Sequence, residues 1–222
     1  MKYLPWFLGY DRGETVTWHT MAQSIIRQAT IPVAIVPLKL EHIPEFTRRD
    51  HRSTEFSFSR WLIPYLCGFD GWAVFSDCDM LLRADPAQLW AKRDHRFALQ
   101  CVWHDYHPDH GRKFLDREQV PYFRKCWSSL MLLNCERLRM LMPSYINTAP
   151  ADELREMRFL RDDLIGSLDP TWNHLVDCEP HNPDAKCVHW TLGSPCFSDY
   201  SEAPFADEFR ALQLEMNHAE LR

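Results

Sequence analysis

Apolar residues along the chain fall into blocks whose spacing switches between continuous strand-like runs and the 3.6-residue period of a helix. Tyr3 to Gly9 is a bulky apolar run that predicts a first strand, and the polar Tyr10-Asp11-Arg12-Gly13 predicts the loop after it. From Thr15 to Ala29 the apolar positions 18, 21, 22, 25, 26 and 29 share one face of a helix. Ile31 to Leu38 is β-branched and apolar, with Pro32 and Pro37 near its two ends, and predicts a second strand. A strand, a helix and a strand in that order make a crossover unit with parallel pairing.

Residues 40 to 55 are polar and read as a loop, after which Phe58, Trp61, Leu62, Tyr65 and Leu66 mark a helical face that Pro64 shortens or kinks. Trp72 to Phe75, preceded by Gly71, predicts a buried strand that runs into Ser76-Asp77-Cys78-Asp79. Asp85-Pro86 supplies an N-cap and a first-turn proline for a helix to Trp90. Strands are predicted at Phe97–Trp103 and Trp127–Asn134, separated by a polar stretch at 111–125. A helix is predicted over Ala151–Leu168, with Asp152 and Glu153 in its first turn, then a strand at Val188–Thr191 and an amphipathic helix over Ala206–Leu221. The pattern predicts an α/β fold in one domain spanning 1–222, its last part, about 201–222, a helical tail.

Composition narrows the function classes. The chain has 222 residues, 45% of them hydrophobic, with nine Trp and thirteen Phe, enough for a sizeable core. Lys plus Arg is 25 against 31 Asp plus Glu, so the net charge of −6 lacks the basic field of a nucleic-acid binder. No apolar run approaches the roughly 20 residues of a membrane span, and no signal-peptide pattern opens the chain. The eight cysteines form no Cys-x-x-Cys pair and read as reduced thiols, so a cytoplasmic location is expected.

Three polar constellations carry candidate chemistry. Asp77 and Asp79, just past a strand's C-terminal end, sit where open α/β sheets bind ligands, and they form a hard anionic pocket suited to a divalent ion. Alone, such a tripeptide reads more often as a solvated acidic turn; a distant ligand has to complete it, and His189, opening a late strand, is the candidate. An imidazole beside two carboxylates favours Mn²⁺ over Mg²⁺. A rival site is the loop His104-Asp105-Tyr106-His107-Pro108-Asp109-His110, read as solvated loop, substrate pocket or zinc site. The third group is Asp162-Asp163 with Asp169-Pro170-Thr171-Trp172-Asn173. Glycine is scarce (seven residues), and neither a Walker loop nor a Gly-x-Gly-x-x-Gly is present, so a bound phosphate needs a metal and side chains.

The ordered motifs together resemble a GT-A glycosyltransferase: the first strand with Tyr10-Asp11, the Ser53–Pro64 segment with Arg60, and Asp77-Cys78-Asp79. Trp127–Asn134, Leu168–Asn173 and His189-Trp190-Thr191-Leu192-Gly193 continue it. The nearest likeness is to retaining enzymes of glycosyltransferase family eight, and it spans roughly 3 to 197. The resemblance implies a GT-A fold with a mixed, mostly parallel sheet flanked by helices. It also implies a nucleotide-sugar donor, most simply a UDP-sugar, a carbohydrate or other hydroxyl acceptor, and Mn²⁺ or Mg²⁺ held by Asp77, Asp79 and His189.

By the same resemblance Tyr10, Asp11, Arg60 and Asp77 contact the donor, and Asp162 and Asp163 lie beside the transferred sugar as catalytic candidates. His104, Asp105, Ser128 and Asn173 are the expected substrate contacts. The chain departs from the family where a lysine usually follows the histidine in His-x-x-Gly-x-x-Lys: here Gly193 comes one place late and no lysine follows. Another cation, Arg12 or Lys113, is then needed beside the metal. A nucleotidyltransferase and a non-catalytic nucleotide- or sugar-binding domain of the same fold are the alternatives.

Overall fold

The structure is a computed structural model that describes residues 3–49, 54–108 and 111–217. Strand β1 (Leu4–Gly9) leads through a short 3₁₀ turn into helix α1 (Thr15–Gln28) and back to β2 (Val33–Leu38), parallel to β1, as the opening pattern predicts. The segment at 58–66 is a 3₁₀ turn followed by the single-turn helix α2 (Ile63–Leu66), the short element that Pro64 dictates. Strand β3 (Trp72–Ser76) is followed after the two aspartates by β4 (Met80–Leu82), then α3 (Pro86–Trp90) capped by Asp85, whose side chain accepts from the Ala87 N–H at 2.9 Å.

Next come β5 (Leu99–Cys101), the hairpin β6 (Gly111–Lys113) and β7 (Arg117–Gln119), β8 (Leu130–Asn134), and the short helices α4 (Pro143–Thr148) and α5 (Ala151–Arg155). Strands β9 (Ile165–Ser167), β10 (His174–Leu175) and β11 (Cys187–His189) precede helix α6 (Ala206–Asn217). The main sheet runs β2-β1-β3-β8-β5-β9, parallel throughout except that β8 opposes both of its neighbours. This is the mixed, mostly parallel sheet expected.

Buried Trp6, Leu8, Phe75 and Val74 of the sheet belong to one main core with Met21 and Ile25 of α1. A second, smaller cluster of Val188, Trp190, Phe209 and Leu212 holds α6 against a three-stranded sheet ordered β10-β11-β4. That small sheet positions the site, because β11 pairs antiparallel to β4 with His189 opposite Met80.

Two of the departures from the sequence pattern are set by left-handed residues. The helix expected over 151–168 ends at Arg155: Met157 takes a left-handed φ of 54°, and the Arg158 N–H turns back to the Glu153 carbonyl at 2.9 Å. This is a helix stop of the kind glycine usually provides, and with Met in that position the pattern does not show it. Asp162 and Asp163 therefore lie on a 3₁₀ turn, and Ile165–Ser167 forms an edge strand parallel to β5. Similarly, Trp127–Ser129 is a 3₁₀ turn and the ladder starts at Leu130, after Cys126 at φ 64°. Within the described residues the C-terminal helix runs to Asn217, and no helix is long and apolar enough to cross a membrane.

Candidate metal centre

The site is assembled at the C-terminal ends of β1 and β3, where parallel strands leave a crevice. β3 delivers Asp77, whose N–H is fixed to the Ser129 carbonyl at 2.8 Å. Two residues on, the Asp79 carbonyl accepts from the Trp190 N–H at 2.9 Å, and so the pairing of β4 with β11 carries His189 to the same place. One ligand atom each from Asp77, Asp79 and His189 lies within 4.8 Å of the others, the sole such trio of His, Cys, Asp or Glu among the described residues.

The orientation of the imidazole is settled one layer down. Asn173 is wholly buried and donates through Nδ2 to the Cys126 carbonyl at 3.2 Å and to Ser129 Oγ at 2.9 Å. Its Oδ1 is left facing His189 Nδ1 at 3.0 Å. An amide oxygen there accepts the Nδ1 proton, which leaves Nε2, 3.4 Å from Asp79 Oδ1, as the nitrogen placed to ligate. Asp79 Oδ1 is buried without a hydrogen bond, and Asp77 Oδ1, also buried, has the Arg60 guanidinium beside it. Buried acceptors left without donors carry a desolvation cost unless a cation joins them. Two carboxylates and an imidazole nitrogen thus fit a divalent metal ion.

Arg60 offsets part of that charge. Its Nη1 lies 2.9 Å from Asp77 Oδ1 and donates to the Ser128 carbonyl at 2.7 Å, while the guanidinium rests 4.8 Å above the Phe75 ring and 5.3 Å from that of Phe56. Gly9 makes room for this stack, since a Cβ there would fall 2.7 Å from the Phe56 ring. Even beside Arg60, Asp77 is pushed up to about 6, chiefly by burial and further by the Asp79 charge. Nearby Glu14, fully buried, is driven well above the carboxylate range by burial and by Asp79.

Over the trio lies a cavity of about 80 Å³, roofed by residues of the β6–β7 hairpin and of the segment after it: Lys113, Glu118, Tyr122 and Lys125. Arg117 of β7 pins that roof, with Nη2 2.8 Å from Asp11 Oδ1 and Nη1 3.3 Å from Glu14 Oε2.

Of the residues singled out from the sequence, Arg60, Asp77, Asp79, Ser128 and His189 line this cavity. Asn173 lies beneath it with its side chain committed to protein. Asp11 is 2% exposed and saturated by Arg117, the Gly13 N–H and the Glu55 N–H. Tyr10 packs edge-on against Trp18 with Lys39 over its ring. His104 belongs to a different cluster, sharing Glu179 with His174 at 3.0 and 3.2 Å, while exposed Asp105 pairs with His107. Asp109 and His110 lie outside the described residues. Asp162, 86% exposed and held by Arg124, and Asp163, held by Arg161, stand outside the cavity lining. Exposed Arg12 is engaged by Glu41 and Glu55, whereas Lys113 faces the trio. Lys125, Arg117 and the supporting role of Asn173 carried no motif and were not legible in the sequence.

Replacing Asn173 with alanine is expected to free the His189 ring and lower divalent-ion affinity by about 10- to 100-fold. Calorimetric titration with Mn²⁺ measures this, and an unchanged affinity would show that the ring is held by other contacts.

Fold and site together define a GT-A glycosyltransferase architecture around an Asp-Asp-His cluster able to hold a metal. The bifunctional glycosyltransferase WbbM superposes with a TM-score of 0.65 at 16% identity, over 97% of this chain and 51% of that one. The glycosyltransferase GlyE of Streptococcus pneumoniae gives 0.63 at 12% identity, over 96% and 60%. The galactosyltransferase LgtC, solved with donor and acceptor sugar analogues, gives 0.59 at 12%, over 94% and 95%. The chain therefore spans about half the length of WbbM and three-fifths of GlyE. No protein-family profile matches the sequence. By sequence the chain belongs to the family of Protein CDI of Arabidopsis thaliana, with which it is 38% identical over 216 residues, 90% of this chain and 82% of that protein.

Proposed function

We propose that the chain is a metal-dependent glycosyltransferase of the family-eight kind, one domain over 1–222, that moves a sugar from a UDP-sugar to an acceptor hydroxyl with retention. The observation that carries this reading is the Asp77–Asp79–His189 trio, three potential ligand atoms within 4.8 Å of one another, at the ligand edge of a GT-A sheet. Asp77, Asp79 and His189 hold the ion, which when bound neutralises charge on a departing diphosphate as a Lewis acid. Asn173 keeps His189 in the ligating tautomer, and Arg60 fixes Asp77 in place. LgtC, a galactosyltransferase of this fold solved with sugar analogues, supports the substrate class. Eight free thiols agree with a reducing, cytoplasmic setting.

In this reading the cavity takes the ion and the phosphates, and a lift of the β6–β7 hairpin from Asp11 and Glu14 would widen it for the nucleoside. Freed from Arg117, Asp11 becomes available to the ribose. The expected nucleophile role of Asp162 or Asp163 is not taken into this reading, because neither lines the cavity; retention then falls to same-face attack, with the leaving phosphate taking the acceptor proton.

The test is thermal shift with UDP and a panel of UDP-sugars, with and without Mn²⁺, followed by donor hydrolysis. A Mn²⁺-dependent rise in Tm with turnover of one donor is the expected result, since a ligand bound to the native state alone raises apparent stability. Binding of UDP without turnover of any donor would instead make this a non-catalytic nucleotide-binding domain.

A further inference from the structure

We propose that Lys113 and Lys125, on the roof of the cavity, form an anion subsite that takes the phosphates of a nucleoside diphosphate opposite the Asp77–Asp79–His189 trio. The ligand class rests on the glycosyltransferase reading; the subsite itself rests on the two lysines. Both side chains line the cavity. Lys113 Nζ donates to the Thr191 carbonyl at 3.4 Å with its ammonium 5.3 Å from the centre of the Phe114 ring, and Lys125 Nζ to the Val120 carbonyl at 3.1 Å with its ammonium 4.6 Å from the centre of the Tyr122 ring. Among the described residues neither has a carboxylate within ion-pair distance, although Glu118 shares the lining. A carbonyl and a ring face leave most of an ammonium's three donors unused. Burial accordingly draws Lys125 down to about 8. A desolvated cation without a counter-ion is costly and is relieved by an anion that enters with the ligand.

The charges on the two sides of the cavity are complementary. A divalent ion cancels the two aspartates, so the charge of a diphosphate above it draws on the other cations of the lining, Arg60 and Arg155 as well as the two lysines. The loop after β11, Trp190 to Cys196, contains no lysine or arginine. It is also locked in place: Ser194 is fully buried with its hydroxyl 2.8 Å from that of Thr17, and a Cβ on Gly193 would fall 2.4 Å from the Tyr200 ring. The cations that this loop lacks come instead from the segment that covers the site. Lysine binds phosphate as a point charge and tolerates the change of position.

Inorganic pyrophosphate, titrated by calorimetry in the presence of Mg²⁺, is the probe. The wild-type chain is expected to bind it, Lys113→Met and Lys125→Met each to weaken it at least tenfold with Mg²⁺ affinity unchanged, and Lys125→Arg to restore most of the binding. A double Lys→Met variant of unchanged Tm that binds pyrophosphate within twofold of wild type would overturn the subsite. So would a wild-type chain that binds none at millimolar concentration. Should the methionine variants fold poorly, a Lys125→Arg variant with unaltered affinity alongside a Lys125→Gln variant with none would still support it, and equal affinities would refute it. Lysine-dependent pyrophosphate binding without hydrolysis of any nucleotide-sugar would support the subsite while removing the sugar-transfer reading.

Discussion

Asp79→Ala is expected to abolish Mn²⁺ binding, and with it all metal-dependent donor hydrolysis, while costing the metal-free protein modest stability. The carboxylate is 6% exposed, and burial pushes its pKa up. His189, Lys113 and hydrogen bonding outweigh this and hold it below the usual carboxylate range, so the ionised side chain is favourably placed even without metal. Removing it leaves two ligands, too few for a divalent ion of this type to stay bound. Asp77→Ala should remove metal binding equally but destabilise the fold by a few kcal/mol, about the cost of leaving one member of a buried ion pair unpaired. That member is Arg60, whose side chain is 8% exposed. Calorimetry with Mn²⁺ and urea unfolding of both variants separate the two effects. Retained Mn²⁺ affinity in Asp79→Ala would remove this site from the mechanism.

The pH dependence follows from the same burial. With Asp77 raised to about 6, a proton competes with the ion below that value, so Mn²⁺ affinity should fall as pH drops through 6. The sign for metal-free stability is opposite. The native state holds the Asp77 proton more tightly than the unfolded chain does, so this group's contribution declines as pH rises from about 4 toward 6.

Phe75→Ala is expected to cost about 3–5 kcal/mol of stability, the range for truncating a buried aromatic ring. Phe75 is fully buried on β3, the strand between β1 and β8, and its ring meets Phe56 at 6.2 Å and carries the Arg60 guanidinium. A chain of this size loses about 2–4 °C in Tm per kcal/mol, so a fall of the order of 10 °C should accompany it. Since Arg60 loses the surface it rests on, Mn²⁺ affinity should fall too, by less than in Asp79→Ala. A stability change under about 1 kcal/mol in urea unfolding would contradict the packing described for the site's floor.

The elements legible in the sequence are those with a full period to display. Thr15–Gln28 repeats its apolar face over four turns, and Leu4–Gly9 and Trp72–Ser76 are uninterrupted apolar runs closed by polar loops. The elements that escaped are short. β4, β9 and β10 have two or three residues each, and no period can be read over so few positions. The stop at Met157 was hidden because a non-glycine residue adopts the left-handed conformation that usually advertises itself as Gly.

The site divides along the same line. Asp77 and Asp79 are two residues apart at a strand end, so their joint position follows from local geometry alone. His189 is 110 residues from Asp79 and reaches it only through the register of β11 on β4, which pairs it with Met80. By itself the sequence determined that an apolar strand ends in two carboxylates in a parallel α/β frame, because spacing and strand period are local properties. Tertiary structure alone decided that Asn173 turns the imidazole, that Arg60 holds Asp77, and that Lys113 and Lys125 roof the cavity. Those contacts join residues far apart in the chain, and their energies come from burial, which exists only once the chain has packed.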